Sequence, residues 1–298
     1  MSKGKERIWI VYSREALSPD KGKNASGWML EAGKAWGFEG EIVFSEDLLA
    51  GYGKVPFLYR QGRPAILPDL ALMRCYDLGL ARVLEELGVP VFNGSGPMEA
   101  SRNKLETHRH LCRRGLPMPL TLQVGALSQE MPVDREYEAV AEVLQAGDFV
   151  AKVPEGSKGE GVHLVDSPTA YRELRKIHPQ EVLCQSYVRE SSGRDYRVYV
   201  VDGKAVGAVE RSSREDFRSN MAQGGKVRLV SLEGGKAALA ETAAAALGLF
   251  FAGVDLLDGA EGLLVCEVNA CPGFRGISMV SSISIPHAIF QGLRRVLS

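Results

Sequence analysis

Ala252-Gly253-Val254-Asp255-Leu256-Leu257, then Asp258-Gly259-Ala260-Glu261-Gly262, then Leu263-Leu264-Val265-Cys266-Glu267-Val268-Asn269 is the stretch on which the reading of this chain turns. It predicts two strands joined by a tight Asp/Gly-rich loop. Pairing Leu257 with Leu263 across that loop sets Asp255 opposite Val265. Side chains of a strand alternate faces. One face then carries Val254, Leu256, Leu264, Cys266 and Val268, and the other carries Asp255, Glu267 and Asn269. Two carboxylates and an amide meet diagonally, within reach of one another. Carboxylates this close repel, and one would keep its proton unless a cation intervened. Oxygen ligands with few protein contacts suit magnesium carried on a nucleotide phosphate. A plain solvated strand face would show the same alternation, so the rest of the chain has to decide.

Length and composition narrow the choices. A chain of 298 residues is expected to form two or three structural units. Its 45% hydrophobic and 24% charged residues are ordinary for a soluble globular protein. A net charge of −1 argues against a nucleic acid or an anionic membrane held by bulk electrostatics. Arg102, Lys104, Arg109, Arg113 and Arg114 read as a solvated helix face. The basic start Met1-Ser2-Lys3-Gly4-Lys5 precedes only a short strand-like run, unlike a signal peptide. No apolar run reaches about 18 residues, so no spanning helix is expected. Cys75, Cys112, Cys184, Cys266 and Cys271 form no CxxC and no zinc-like spacing. An odd number without a secretory signal fits reduced thiols in a cytoplasm. His108 and His110 diverge on a helix, and both are expected at the surface.

Three units follow along the chain. Residues 1–100 read as an α/β unit, with strands near 7–12, 41–45, 70–74 and 89–93 and helices near 25–36 and 78–87. Strands alternating with helices imply a parallel sheet, whose ligands sit at the carboxyl ends of the strands. Arg74 and Asn93 fall there. No GxGxxG follows the first strand, which excludes a dinucleotide fingerprint. A helix over 101–114, ended by Gly115, leads into a second unit that runs to residue 187. The third unit, residues 188–298, contains a hairpin of 196–201 with 204–210 about Asp202-Gly203, whose positions both favour positive φ. An Ala-rich helix over 236–247, the Asp255/Glu267 hairpin and a closing helix over 286–296 complete it.

The second unit holds a lysine on a strand that feeds a Gly-rich loop, Phe149-Val150-Ala151-Lys152-Val153-Pro154-Glu155-Gly156-Ser157-Lys158-Gly159-Glu160-Gly161. Its glycines let backbone amides approach phosphate oxygens, and Lys152 adds a point charge. It is not a Walker A motif. Val182-Leu183-Cys184-Gln185-Ser186-Tyr187-Val188 offers backbone groups suited to an adenine edge. Asp195 offers a carboxylate suited to ribose hydroxyls, with Arg197 on the same strand face. Asp216-Phe217-Arg218-Ser219-Asn220 sets an Arg beside a hydroxyl and an amide, as recognition of a phosphoryl group in transfer would need.

Lys104, Lys152 with its loop, Asp216-Phe217-Arg218-Ser219-Asn220 and Glu267-Val268-Asn269-Ala270-Cys271-Pro272-Gly273 occur in that order. In this the chain resembles the ATP-grasp superfamily, and within it the RimK-type glutamate ligases, over roughly residues 70–298. The resemblance implies an α/β fold, with a Rossmann-like N-terminal domain followed by a two-part ATP-grasp module holding nucleotide between two sheets. It implies that Lys104, Lys152, Gly156, Ser157, Lys158, Gly159 and Gly161 meet the phosphates. Ser186, Tyr187 and Val188 would face adenine, Asp195 the ribose, and Arg218, Ser219 and Asn220 the phosphate end. Asp255, Glu267 and Asn269 would hold two magnesium ions, with manganese able to substitute. Arg218 with Arg197 would be catalytic, and Arg74 and Arg275 would contact substrate.

The activity implied is ligation of a carboxylate to an amine through an acyl phosphate, with release of ADP and phosphate. An amino acid such as glutamate is one expected substrate. The partners would be small-molecule or peptide carboxylates and amines, or a protein or carrier-protein acceptor, and the chain would form a homo-oligomer. A D-alanine–D-alanine-type ligase and a non-catalytic ATP-binding module are the alternatives. Two departures stand out. Relatives often carry Glu where Ser186 stands, and RimK itself has acidic residues where this chain has Phe274-Arg275-Gly276-Ile277-Ser278.

Overall fold

The computed structural model describes residues 5–17, 25–128, 130–156, 161–213, 217 and 225–298. Expectations that fell on Ser157, Lys158, Gly159, Asp216, Arg218, Ser219 and Asn220 lie outside them.

The chain opens on the parallel sheet that the α/β alternation predicts. Strands β1 (Glu6–Tyr12), β2 (Phe38–Phe44), β6 (Leu70–Met73) and β7 (Val91–Phe92) lie in the order β2-β1-β6-β7. Both faces of β1 are apolar because both are covered. Ile8 and Ile10 join Met29 of α1 (Ala25–Ala35) and Ile289 and Phe290 of α9 (Ile285–Leu297) in one core. Trp9 and Val11 join Leu80 and Leu84 of α2 (Leu78–Glu86) in the other. The small antiparallel sheet β3 (Leu48–Tyr52), β4 (Pro56–Arg60) and β5 (Arg63–Pro64) was not legible from the sequence.

The expected helix over 101–114 is two helices that bend at Asn103. These are α3 (Ser95–Arg102) and α4 (Lys104–Arg113). The Asn103 carboxamide oxygen accepts from the N–H groups of Leu105 (2.9 Å) and Glu106 (3.2 Å). That satisfies orphan donors of the second helix, so Asn103 is a cap rather than an interior residue.

The second sheet is antiparallel, in the order β10-β9-β11-β8. It comprises β8 (Thr121–Val124), β9 (Phe149–Lys152), β10 (Val162–Val165) and β11 (Val182–Ser186), covered by α5 (Val133–Leu144) and α6 (Pro168–Ile177). Phe149, Tyr137 and Tyr171 stack with centroids 5.7–5.8 Å apart. Beneath them, fully buried Arg175 donates to Glu136 (2.8 Å) and to the carbonyls of His178 (2.9 Å) and Gly125 (2.7 Å).

The third sheet has five antiparallel strands in the order β14-β13-β12-β15-β16. They are β12 (Arg194–Val201), β13 (Lys204–Ser212), β14 (Lys226–Val230), β15 (Phe251–Gly259) and β16 (Gly262–Asn269), with α7 (Lys236–Ala246) on one face and the short α8 (Arg275–Val280) near the edge at β14. Asp202 and Gly203 turn with φ 48° and 70°, as that dipeptide predicts.

The hairpin of β15 and β16 departs from its expected register. Its loop is only Ala260-Glu261, because Gly259 pairs with Gly262 and Leu257 with Leu264. A bulge then lets Leu256 face Val265 while Asp255 faces Glu267 directly. The extra residue is Cys266, and it exchanges the faces on its N-terminal side. Val265, and not Leu264 or Cys266, joins Val254, Leu256 and Val268 in the core.

Candidate active site

Two lysines converge from different elements. Lys152 ends β9 and pairs with Leu183 of β11, while Phe149 and Ala151 take the alternate positions and fill the core behind the sheet. Its ammonium donates to Gln185 Oε1 at 2.6 Å and lies 3.7 Å from Cys266 Sγ. Lys104 starts α4. Its backbone N–H donates to the Pro154 carbonyl (3.0 Å) and its ammonium to the Gly156 carbonyl (3.3 Å). Burial pushes the Lys104 ammonium down, Glu267 pulls it back up and Lys152 opposes it. Both lysines and Glu267 therefore share one electrostatic site.

The Gly-rich loop leaves and returns at fixed points. Val153 N–H donates to the Gly161 carbonyl at 2.9 Å, and Asn103 bridges to Glu155. Gly161 has φ +70°, and a Cβ there would stand 2.5 Å from Val153 Cγ2, so only glycine fits.

Gln185 holds Lys152 and is itself held. Its Nε2 donates to Thr121 Oγ1 (2.8 Å) and faces His108 Nε2 at 3.3 Å. His108 is 5% exposed, which corrects the surface expectation. It points inward between α4 and the second sheet, with Nδ1 3.2 Å from Met118 Sδ. Because Gln185 Nε2 is a donor, His108 Nε2 accepts and Nδ1 carries the proton. Burial, with Lys152 and Lys104 nearby, lowers its pKa to about 4, so it is neutral at pH 7.

Asp255 is buried and doubly paired. Arg197 donates to both of its oxygens, at 2.7 and 2.6 Å, and Arg211 lies 2.9 Å from Oδ2. Burial alone would raise its pKa, but the two guanidiniums outweigh burial and hold the carboxyl below its usual range. Arg211 also grips Asp195 through Nε (2.7 Å) and Nη2 (2.5 Å), so the residue expected at a ribose is engaged by an arginine. The Glu267 side chain is half-buried, and its carboxylate makes no hydrogen bond or ion pair among the described residues. Asn269 Nδ2 reaches the Gly253 carbonyl at 3.5 Å. No cluster of three or more His, Cys, Asp or Glu occurs among the described residues. Two carboxylates and an amide on adjacent strands fit a hard cation that brings further oxygens of its own, as nucleotide phosphate does.

The other expected residues are placed as follows. Ser186 N–H donates to the Leu120 carbonyl (2.9 Å), and the Val188 carbonyl accepts from Ser191 (3.2 Å). The Tyr187 hydroxyl donates to Ser192 (2.6 Å). Arg275 is exposed at the start of α8, while Arg74 is buried at the end of β6. Asn93 contacts no open site. Its amide donates to the carbonyls of Phe251 (2.6 Å) and Ala270 (2.8 Å) and accepts from Phe250 and Phe251, so it clamps β15 to the chain after β16. Gln185, His108 and Arg211 were given no role in the sequence. Only the strand pairing, which sets Gln185 and Lys152 on one face, could have found the first.

Comparison with known proteins agrees with this geometry. The solved structure of a RimK domain ATP-grasp protein from Sphaerobacter thermophilus superposes with TM-score 0.71 at 20% identity, covering 96% of this chain and 98% of that one. The ATP-grasp ligase PsnB, complexed with a minimal precursor, superposes with TM-score 0.72 at 21% identity, covering 99% and 100%. The fold is therefore that of the ATP-grasp ligases. The model of the RimK-like ATP-grasp domain matches residues 101–293. A probable alpha-L-glutamate ligase of Legionella pneumophila (strain Corby) is 34% identical over 248 residues, 80% of each chain. The chain belongs to the RimK-like ATP-grasp family, and it is an ATP-dependent ligase.

Proposed function

We propose that this enzyme joins a carboxylate to an amine through an acyl phosphate, with an amino acid such as glutamate as one substrate. The convergence of Lys104, Lys152 and Glu267 between two sheets carries this reading. A carboxylate oxygen attacks the γ-phosphorus of ATP and ADP leaves. The amine then attacks the acyl carbon, phosphate departs, and the amine gives up a proton. Lys104, at the start of α4, and Lys152, at the end of β9, neutralise the nucleotide phosphates. Gly156 and Gly161 bracket a loop that covers the phosphates and keeps water from the acyl phosphate. Asp255, Glu267 and Asn269 would hold magnesium, which when bound neutralises the phosphate oxygens.

Two ions, with manganese able to replace magnesium, fit a site in which Glu267 is shared. Ser186 at the end of β11, with Tyr187 and Val188 after it, is assigned to adenine, and Arg197 and Arg218 to the transferring phosphoryl group. Arg74 and Arg275 are assigned to substrate. The acceptor is a small molecule, a peptide, a protein tail or a carrier protein. Residues 1–100, 101–187 and 188–298 act as three units of a cytoplasmic homo-oligomer. Among the described residues no helix is long and apolar enough to cross a membrane.

Incubation with magnesium-ATP and pools of amino acids and small carboxylates tests the proposal. ADP and phosphate released with one pool only support it. AMP and pyrophosphate would refute the acyl-phosphate route.

A further inference from the structure

Arg74 follows β6 and is 7% exposed, sealed between the rings of Phe251 (4.9 Å from its guanidinium carbon to the centroid) and Phe274 (5.6 Å). One N–H of Nη2 donates to the Pro272 carbonyl at 2.7 Å. Nε and Nη1 are buried without hydrogen-bond partners, and no acidic side chain pairs with Arg74 among the described residues. Beside it the Tyr12 hydroxyl, at the end of β1, is also buried and unpartnered, in a residue 4% exposed. The phenol feels the guanidinium, since burial raises its pKa and Arg74 draws it back, but no well-formed hydrogen bond joins them. A buried guanidinium without a counter-charge is costly, and the ring faces offset only part of that. Buried polar groups are nearly always paired, so three orphans in one place need a reason.

We infer that Tyr12 and Arg74 form a carboxylate-binding site, and that it takes the free carboxylate of the amino acid whose amine is joined. This inference rests on the ligase reading above. All the unpaired N–H groups and the phenol are donors, and a carboxylate is an acceptor-only group. The location suits a substrate subsite. Pro272, which Arg74 holds, packs so closely on Gly253 that a Cβ there would lie 2.6 Å away, and Gly253 is two residues from Asp255. The Tyr199 hydroxyl donates to the next carbonyl, Gly273, at 2.9 Å; burial raises its pKa, and Arg197, Arg211, Asp255 and Arg74 are all close enough to act on it. The Arg74 guanidinium and the Asp255 site thus flank one short turn. A carboxylate held by Arg74 has its charge neutralised there and is a poorer nucleophile towards phosphorus, so it is the carboxylate that is spared phosphorylation. Tyr12 lies on the first strand, far in sequence from every motif, and no spacing rule points to it.

The Phe274 ring has to move for a ligand to enter, and Trp28 packs on that ring with centroids 6.4 Å apart. The test uses the full chain. Each common amino acid is titrated against tryptophan fluorescence, and any that binds is compared with its own α-carboxamide and then tested on Tyr12→Phe. That variant removes an oxygen that has no partner in the free protein, so the fold is retained, and its unchanged melting temperature confirms this. The expected result is at least one amino acid that binds, an amide about tenfold weaker, and a Tyr12→Phe protein that loses about tenfold for the acid. Three outcomes each overturn the site: no amino acid binds, acid and amide bind equally, or Tyr12→Phe binds as the wild type does. ADP release is measured separately. Turnover without carboxylate preference sinks the site alone, and carboxylate binding without ADP release in any pool sinks the ligase reading alone.

Discussion

The ammonium of Lys152 donates to the amide oxygen of Gln185 at 2.6 Å, and the other end of that amide is fixed by Thr121 and His108. Lys152 is therefore aimed by a buried carboxamide on the neighbouring strand β11. Replacing Gln185 with Leu keeps the volume and removes the guide. The expected effect is a rise of about tenfold in the KM for ATP with kcat changed less, equal to one lost charge-assisted hydrogen bond. Steady-state kinetics at varied ATP checks it. Lys152→Ala should weaken ATP binding further, and an unchanged affinity would count against its phosphate role.

Glu267→Ala should abolish turnover and leave the melting temperature nearly unchanged. The carboxylate is half-buried and makes no hydrogen bond or ion pair among the described residues, so the fold loses little when it goes. An active Glu267→Ala enzyme would remove the metal assignment.

Asp255 behaves differently. Its partners Arg197 and Arg211 are tied to it at 2.6–2.9 Å, so Asp255→Ala leaves Arg197 without a counter-charge, while Arg211 keeps Asp195, as well as removing a ligand. Loss of one partner from a buried pair costs about 3–5 kcal/mol. Urea melts should show a fall of that order for Asp255→Ala and almost none for Glu267→Ala.

His108 makes stability depend on pH. Its folded pKa of about 4 lies below the ordinary 6.5, so the unfolded chain binds a proton that the folded chain does not. Stability contributed by neutral His108 is complete above pH 6.5 and declines as pH falls from 6.5 towards 4. The loss should reach about 3 kcal/mol at most, and His108→Gln should flatten that part of the profile in denaturant melts at a series of pH values.

Arg175 anchors the second sheet to its helices through Glu136 and the carbonyls of Gly125 and His178. Arg175→Ala should cost about 3–5 kcal/mol, because the buried Glu136 loses its counter-charge and keeps only the Tyr171 hydroxyl as donor. Hydrogen exchange should show the loss concentrated in residues 121–187.

The sequence made the carboxylate face legible because alternation along a strand is a local property. Asp255 and Glu267 fall on one face in the expected register, and in the observed one, shifted by one residue, the bulge at Cys266 keeps them opposite each other. The bulge at Cys266 was not legible, since it depends on how β16 packs on α7. The parallel order of β1, β2 and β6 followed from α/β alternation, while the sheet of β3, β4 and β5 carries no clean period of two. The break at Asn103 was written in its residue type, an N-cap former ahead of Glu106, but the basic residues on either side suggested one continuous face. Gln185, His108 and Arg211 meet their partners, and Tyr12 comes to lie beside Arg74, only after distant segments pack, so no motif could name them.

Transfer of oxygen is the most direct test of the central claim. With an active carboxylate pool labelled with oxygen-18, an acyl-phosphate ligase must pass one labelled oxygen to the phosphate it releases with ADP. Mass spectrometry should find that label in inorganic phosphate in step with product formed. Unlabelled phosphate, or label appearing in AMP, would contradict the mechanism.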